Sequence, residues 1–413
     1  VHHEMGNDDA PTTQFLLRLA RLLLGGGLSA RETEAEVIAT GRALGYPETQ
    51  VGAFSTGVFV SLSPDMPPQF SAAKSYIRFD QLSDFLTITA ELRAGTLDFD
   101  TARARLTTAA ERKPAWPYFV ANLGSIPVGV GLILLLCPAW PNIIVGLIAS
   151  LVIAGLSTLA GRIKAVAEIL PVLAAFTVSY PILLAADTGW LDYPFRTIVA
   201  VLAILFPGSV VVTGIADVVA GHSSAGTARL SSALMQFLLF FAGIWLAVVA
   251  AHWSLRDLLD IAAPAAPFGI KLLGIFLATL GLMLFCYCPF THAISIIALS
   301  TAAGAIQVYL GTEFSPALGG LVAAILSSVG AQLLAHAPKG PPWHVTYLPA
   351  FMIVAPGSFA FLTASQLSGY SASPLVTALS ALVGVAIGTL LGGAVKELEF
   401  SKTLARGVRR RRA

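Results

Sequence analysis

The sequence predicts an α-helical polytopic membrane protein: ten transmembrane helices arranged as a 5+5 inverted repeat, behind a small N-terminal α/β cytoplasmic domain. Three observations carry that fold class. The 413-residue chain is 56% hydrophobic and 12% charged, against roughly 45–50% apolar and about 25% charged in an ordinary soluble domain. Its charges are segregated: residues 1–118 hold 11 basic and 14 acidic side chains, residues 119–395 hold 7 and 7, and residues 396–413 hold 7 and 2. Hydrocarbon cannot solvate ionised groups, so a 277-residue stretch with 14 charges describes stacked spanning helices, not a surface facing water. A short motif also recurs at a fixed offset and divides that stretch into two halves. The net charge of +2 gives no basic face for a nucleic-acid partner.

Residues 1–118 form the cytoplasmic head. Phe15, Leu16, Leu19, Leu22 and Leu23 make one apolar stripe, with Arg18 and Arg21 off it, and the helix stops at Gly25–Gly27. Ser29 and Glu32 form a capping box that opens a second helix to about Leu44. Val51–Leu62 and Ala73–Phe79 are expected as two strands joined by a Pro-containing loop, with Asp80 and Asp98 capping helices over 81–94 and 99–112. No cleavable signal peptide is expected, because the first 14 residues are polar and the run that follows is broken by arginines. The head has no G-x-S-x-G, H-E-x-x-H or phosphate loop, and its only histidines are His2 and His3. No catalytic residue, metal ligand or cofactor is therefore expected. The three cysteines, Cys137, Cys286 and Cys288, lie in or at the ends of apolar runs and are too few for a disulfide framework.

Each span needs about 20 apolar residues. Ten candidates fall at 119–137, 142–160, 166–186, 196–219, 232–251, 268–287, 290–309, 316–335, 346–366 and 374–395, giving membrane repeats 119–251 and 252–395 and a basic cytoplasmic tail, 396–413. With the head inside, the inner segments hold thirteen basic residues near the membrane and the outer loops only Arg196, Arg256 and Lys271. Both termini are thus cytoplasmic, and the Arg409–Arg412 run is an anchor on anionic lipid.

Ile204-Leu-Phe-Pro-Gly-Ser209 in the fourth span is echoed 149 residues later by Ile353-Val-Ala-Pro-Gly-Ser358 in the ninth, and the same offset maps spans six to ten onto one to five. Cys137-Pro138 and Cys288-Pro289 echo it in a smaller way. Five is odd, so the copies face opposite ways, a plan that recurs in secondary transporters. Pro207-Gly208 and Pro356-Gly357 are expected to break or kink their spans near mid-depth, and freed backbone is tolerated there only against protein or a polar cavity. That cavity is the expected substrate site, with Ser209, Thr213, Ser358 and Thr363 supplying hydroxyls; each could instead bond back to its own helix. Asp217, one turn past Thr213, is the candidate proton carrier. The alternative is an interfacial pair with Arg229. Its repeat partner, Gln366, does not titrate. Glu168 is a second candidate, for which a surface pair with Arg162 or Lys164 is the simpler account. His222, His292 and His344 sit near span ends, where solvation is expected before metal binding.

The run Leu205-Phe-Pro-Gly-Ser-Val-Val-Val-Thr-Gly-Ile-Ala-Asp217-Val-Val-Ala-Gly221, then Ser224-Ala-Gly226 and Arg229, resembles the Pro-Gly, Asp, Gly, Ser-x-Gly, Arg pattern of the threonine/serine exporter family. The head and the Ala355-Pro-Gly-Ser358 span are similar to that family's N-terminal segment and C-terminal module, so the resemblance covers about 14–395. It implies a transporter, not an enzyme. The expected activity is proton-coupled export of small hydrophilic amino acids across the bacterial inner membrane, by rocking of one repeat against the other. Ser209-Val-Val-Val departs from a family stretch that is usually more polar, and split relatives are linked to dicarboxylate export, which makes a succinate-like substrate the alternative. A membrane-embedded enzyme or a channel are the further alternatives, and a homo-oligomer is expected only from the general habit of such transporters.

Overall fold

The computed structural model describes residues 9–73, 77–254, 266–337, 340–365 and 383–391, with the backbone alone over 355–365. The chain divides into two compact units, Val1–Ala115 with Thr213–Ser232 and Tyr287–Pro289, and Trp116–Val212 with Ala233–Cys286 and Phe290–Ala413.

In the first unit, α1 (Asp9–Gly25) buries the expected stripe: Phe15, Leu16, Leu19, Leu22 and Leu23 are sealed in the core, and Phe15 packs edge-on against Phe99. The capping box opens α2 (Ala30–Ala43), where the Glu32 N–H donates to Ser29 Oγ at 3.1 Å and the Ser29 N–H donates to Glu32 Oε2 at 2.9 Å. Helices α3 (Phe79–Arg93) and α4 (Phe99–Glu111) stand close to expectation, and Asp98 caps α4 through the Thr101 N–H at 2.8 Å. Asp80 is not a cap. Arg78 holds the capping position, and Asp80 lies in the first turn, where it pairs with Arg78 and Arg112.

The sheet also differs from expectation. Val51–Leu62 is a hairpin and not one strand: β1 (Gln50–Phe54) turns at Ser55-Thr56 into β2 (Gly57–Ser61), and the third strand, β3 (Gln69–Ala72), pairs antiparallel to β2. Alternation could not show the turn, because Phe54-Ser-Thr-Gly57 lacks the usual Asn-Gly signal. Phe79 belongs to α3. Gly57 is required at its place because a Cβ there would enter the Phe70 ring.

The apolar part supplies α5 (Tyr118–Asn122), α6 (Ser125–Leu136), α7 (Trp140–Ala160), α8 (Lys164–Asp187), α9 (Pro194–Leu202), α10 (Gly208–Val219), α11 (Ser223–Ala250), α12 (Phe268–Phe285), α13 (Ala293–Glu313), α14 (Pro316–Ala335) and α15 (Trp343–Ser365). Among the described residues, seven helices are long and apolar enough to cross a membrane, or eight if the bent pair α9–α10 counts as one span. The protein is therefore polytopic. The ninth expected span corresponds to α15, of which Trp343–Val354 is described with side chains and is apolar. Of the tenth, only 383–391 is described, as helix. Half-exposed Leu147, Ile148 and Leu151 on α7, and Leu234, Leu238 and Phe241 on α11, would be an adhesive patch in water and are ordinary against lipid chains.

In the second unit, α6 and α12 cross in closest contact through small residues. A Cβ on Gly124 would enter the Gly281 carbonyl, and a Cβ on Gly131 would enter the Gly274 carbonyl, so the helices run antiparallel with glycines seven residues apart facing each other. Gly131→Val also drives a side chain toward the Ala278 backbone nitrogen, 2.8 Å from the ideal Cβ. It is expected to cost about 1–3 kcal/mol and lower the melting temperature in detergent, whereas Gly155→Val, which faces open space, leaves it unchanged.

Candidate functional site

The fourth span is broken where the sequence places the break. α9 and the 3-10 turn Ala203–Leu205 end at Phe206, which is extended (φ −70°, ψ 137°), and α10 restarts at Gly208, bent by 61°. Pro207 disfavours helical geometry at the residue before it and brings no N–H of its own. Proline alone is not the cause, because α8 runs through Pro171 and Pro181. At 206–207 the freed groups meet replacement partners. Gln236 on α11 donates its Nε2 to the freed Leu205 carbonyl at 3.2 Å, and the Phe206 ring packs on Phe237 and Phe240. The matching break at Pro356-Gly357 is absent, since α15 is one continuous helix through both residues.

Beside the break lies a cleft with about 670 Å³ of space, open mouth included, walled by α6, the 203–206 turn, the start of α10, α12, α13 and α15. Its lining is apolar, Val128, Leu132, Ile275, Leu282 and Met352 among others, with two polar side chains, Ser209 and Gln307. Gln307 is buried, and its Nε2 donates to the Val354 carbonyl at 2.8 Å. Sequence reading passed over Gln307, although an amide within the apolar seventh span was the available signal. Pro207 and Gly208 form the break itself. The side chains of Pro356, Ser358 and Thr363, and all of Gln366, lie outside the described residues, as does any side-chain environment for Gly357.

Thr213 and Asp217 belong to the first unit, not to the unit that holds the cleft. Asp217 is fully buried. Its Oδ1 accepts the Ala30 N–H at 3.1 Å, and its Oδ2 lies 3.0 Å from the Arg229 guanidinium in a coulombic contact that is not aligned as a hydrogen bond. Arg229 donates onward to the Leu28 carbonyl at 2.9 Å. Beside them, His222 Nε2 meets Glu34 Oε2 at 2.7 Å, and Glu34 Oε1 accepts the Ala53 N–H at 2.8 Å. The helical hairpin that presents Asp217 and Arg229 is tight. Gly221 turns it with φ +88°, and a Cβ on Gly226 would come within 2.6 Å of the Gly214 carbonyl. The Asp217–Arg229 pairing is the one weighed from sequence; its third party, the start of α2, had no sequence signal. Glu168 is exposed, 4.0 Å from Lys164, as a surface pair. Among the described residues no cluster of three His, Cys, Asp or Glu side chains could hold a metal.

The family model ThrE, described as "Putative threonine/serine exporter", matches residues 14–251. The chain belongs to the threonine/serine exporter family. No curated protein and no solved structure matches it. The stretch shared with the exporter family contains the head, the broken span, Asp217 and Arg229, and stops short of Gln307 and α15. This is a family of transporters and not of enzymes. The replacement bonding at the broken span can be tested directly. Gln236→Leu leaves a half-buried carbonyl unpaired and is expected to destabilise the protein by about 1–3 kcal/mol, read as a lower melting temperature, while Gln236→Glu does no better at alkaline pH, where the ionised carboxylate cannot donate.

Proposed function

We propose that this chain is a secondary active exporter of threonine or serine, proton-coupled and working by alternating access, in the bacterial inner membrane with both termini cytoplasmic. The observation that carries the reading is the bent fourth span: a helix interrupted at Pro207-Gly208, with its gap repaired by a side chain, beside a cleft that Ser209 enters. Interrupted spans of this kind present polar groups at mid-membrane without exposing backbone to lipid.

The cleft's chemistry favours an amino acid over a dicarboxylate. Among its described lining residues none is basic, and a hydroxyl and an amide suit the paired charges of a small zwitterion better than a dianion. The inverted repeat is supported by the α6–α12 crossing. With Gly124 matched to Gly274 and Gly131 to Gly281, one residue beyond the 149-residue offset of the Pro-Gly motif, the contacts Gly124–Gly281 and Gly131–Gly274 exchange under a two-fold axis, as an isologous pair requires. Asp217 is the coupling residue in this reading. A buried carboxylate beside a cation is stable only while its partners stay in place, so binding a proton changes what it can hold.

Counterflow in proteoliposomes with labelled threonine, serine and succinate tests substrate class: exchange of the first two and not the third is expected, and exchange of succinate alone overturns the assignment. Ser209→Ala is expected to raise the KM for threonine by roughly 2–10-fold, the loss of one hydrogen bond. Asp217→Asn is expected to abolish acceleration by a pH gradient while counterflow persists. Full gradient dependence in Asp217→Asn contradicts the coupling role.

A further inference from the structure

The head holds the nominated proton carrier through an uncommon partner. α2 is a 14-residue helix whose first turn leaves backbone N–H groups without intrahelical acceptors. Ser29 takes the third of these, on Glu32, and the carboxylate seated on the first, on Ala30, comes from 187 residues further along the chain. Arg229 closes the arrangement by gripping Asp217 with one nitrogen and the Leu28 carbonyl with another. The linker that enters α2 is thereby held at both ends of its last turn by the hairpin that follows the broken span.

From this we propose that the N-terminal head is a proton-operated gate: the start of α2 is a carboxylate-binding site that holds ionised Asp217 and releases it on protonation. The inference rests on the coupling reading of Asp217 and deepens it by naming the group that responds. A neutral carboxyl loses its attraction to both the positive helix end and Arg229, and one of its oxygens becomes a donor facing donors. The charged groups acting on Asp217 are Arg229 from α11, His222 from the hairpin turn and Glu32 from α2. His222 pairs with Glu34 in a second contact between α2 and the hairpin, and the Asp217→Asn variant below separates the part played by Asp217 from that of this pair. The head is then the cytoplasmic element whose hold on the hairpin changes once per proton, which gives an otherwise unassigned domain a part in the transport cycle.

A single substitution isolates the head's share. Ala30 is the first residue of α2, the one helical position where proline is well tolerated, and Ser29 is already extended (φ −65°, ψ 161°), as a residue before proline prefers. Ala30→Pro therefore removes the N–H that Asp217 accepts and leaves the helix. Spin labels at the exposed positions Arg42 and Thr227, in full-length protein whose native cysteines 137, 286 and 288 are buried, report the distance between head and hairpin in lipid nanodiscs. In the otherwise unsubstituted protein, one distance is expected in alkaline buffer, with a longer one growing in as the buffer is acidified. Ala30→Pro and Asp217→Asn are both expected to show the longer distance already at alkaline pH. Ala30→Pro is also expected to weaken the response of flux to a pH gradient by about tenfold or more. Because proline adds bulk at a buried site, Arg229→Gln serves as a second variant, with the same shift expected. An unchanged distance in all three variants overturns the gate, even where Asp217→Asn has lost gradient-driven flux, and the coupling reading then stands alone. A changed distance with full gradient-driven flux in Asp217→Asn leaves the gate and overturns the coupling.

Discussion

A carboxylate sealed from water and a mostly buried guanidinium set the terms for the first unit. Neither Asp217 nor Arg229 could be buried alone at tolerable cost, since an isolated ion loses several kcal/mol of hydration. Together they are still short of partners, and the deficit is met by backbone: the Ala30 N–H for the acid and the Leu28 carbonyl for the base. The head's second helix, the tight Gly214–Gly226 hairpin and the position of the Leu28–Ala30 turn are all conditions for that arrangement. A structure that satisfies a buried ion pair with groups drawn from far along the chain has made those segments depend on its charge state.

The second unit solves a related problem with neutral groups. Breaking a span frees carbonyls where no water can reach them. Gln236 repairs one at the Pro207 break, and three phenylalanines fill the space around it. The resulting cleft is mostly apolar with two polar side chains, a composition that lets a small polar solute bind by a few directed bonds and leave again. Close glycine contacts between α6 and α12 place two helices of opposite direction against each other on one side of it.

Much of this was legible in the residues, for physical reasons. The amphipathic stripe of α1, the Ser29–Glu32 box and the Asp98 cap are local patterns, and each formed as written. The positions of the first eight spans followed from hydropathy, the fourth as a bent pair, and the break at Pro207 from proline's missing donor. What the sequence could not show were long-range partners. The same Pro-Gly pair broke one helix and not another, although a glutamine donates to the carbonyl two residues before the proline in both, Gln236 to Leu205 and Gln307 to Val354, so the motif alone does not decide the outcome. The hairpin within 51–62 was hidden by a turn, Ser55-Thr56, without the usual Asn-Gly pair. Asp217 was visible as a rare intramembrane acid and Arg229 as its partner, but the N-terminus of α2, 187 residues away, has no mark in sequence that ties it to either.

The central claim is that Asp217 holds the head by its charge. Hydrogen exchange of the amides over 28–33, followed in the full chain in lipid nanodiscs at one alkaline pH, reads that hold directly. Asp217 turns one oxygen to the Ala30 N–H and the other to Arg229. The side-chain amide of the Asp217→Asn variant keeps only one acceptor oxygen and sets an NH2 against one of those two donors. The account predicts that the Ala30 amide loses about tenfold or more of its protection in that variant, while amides in the middle of α2 keep theirs. Equal protection of Ala30 in the two proteins would contradict it.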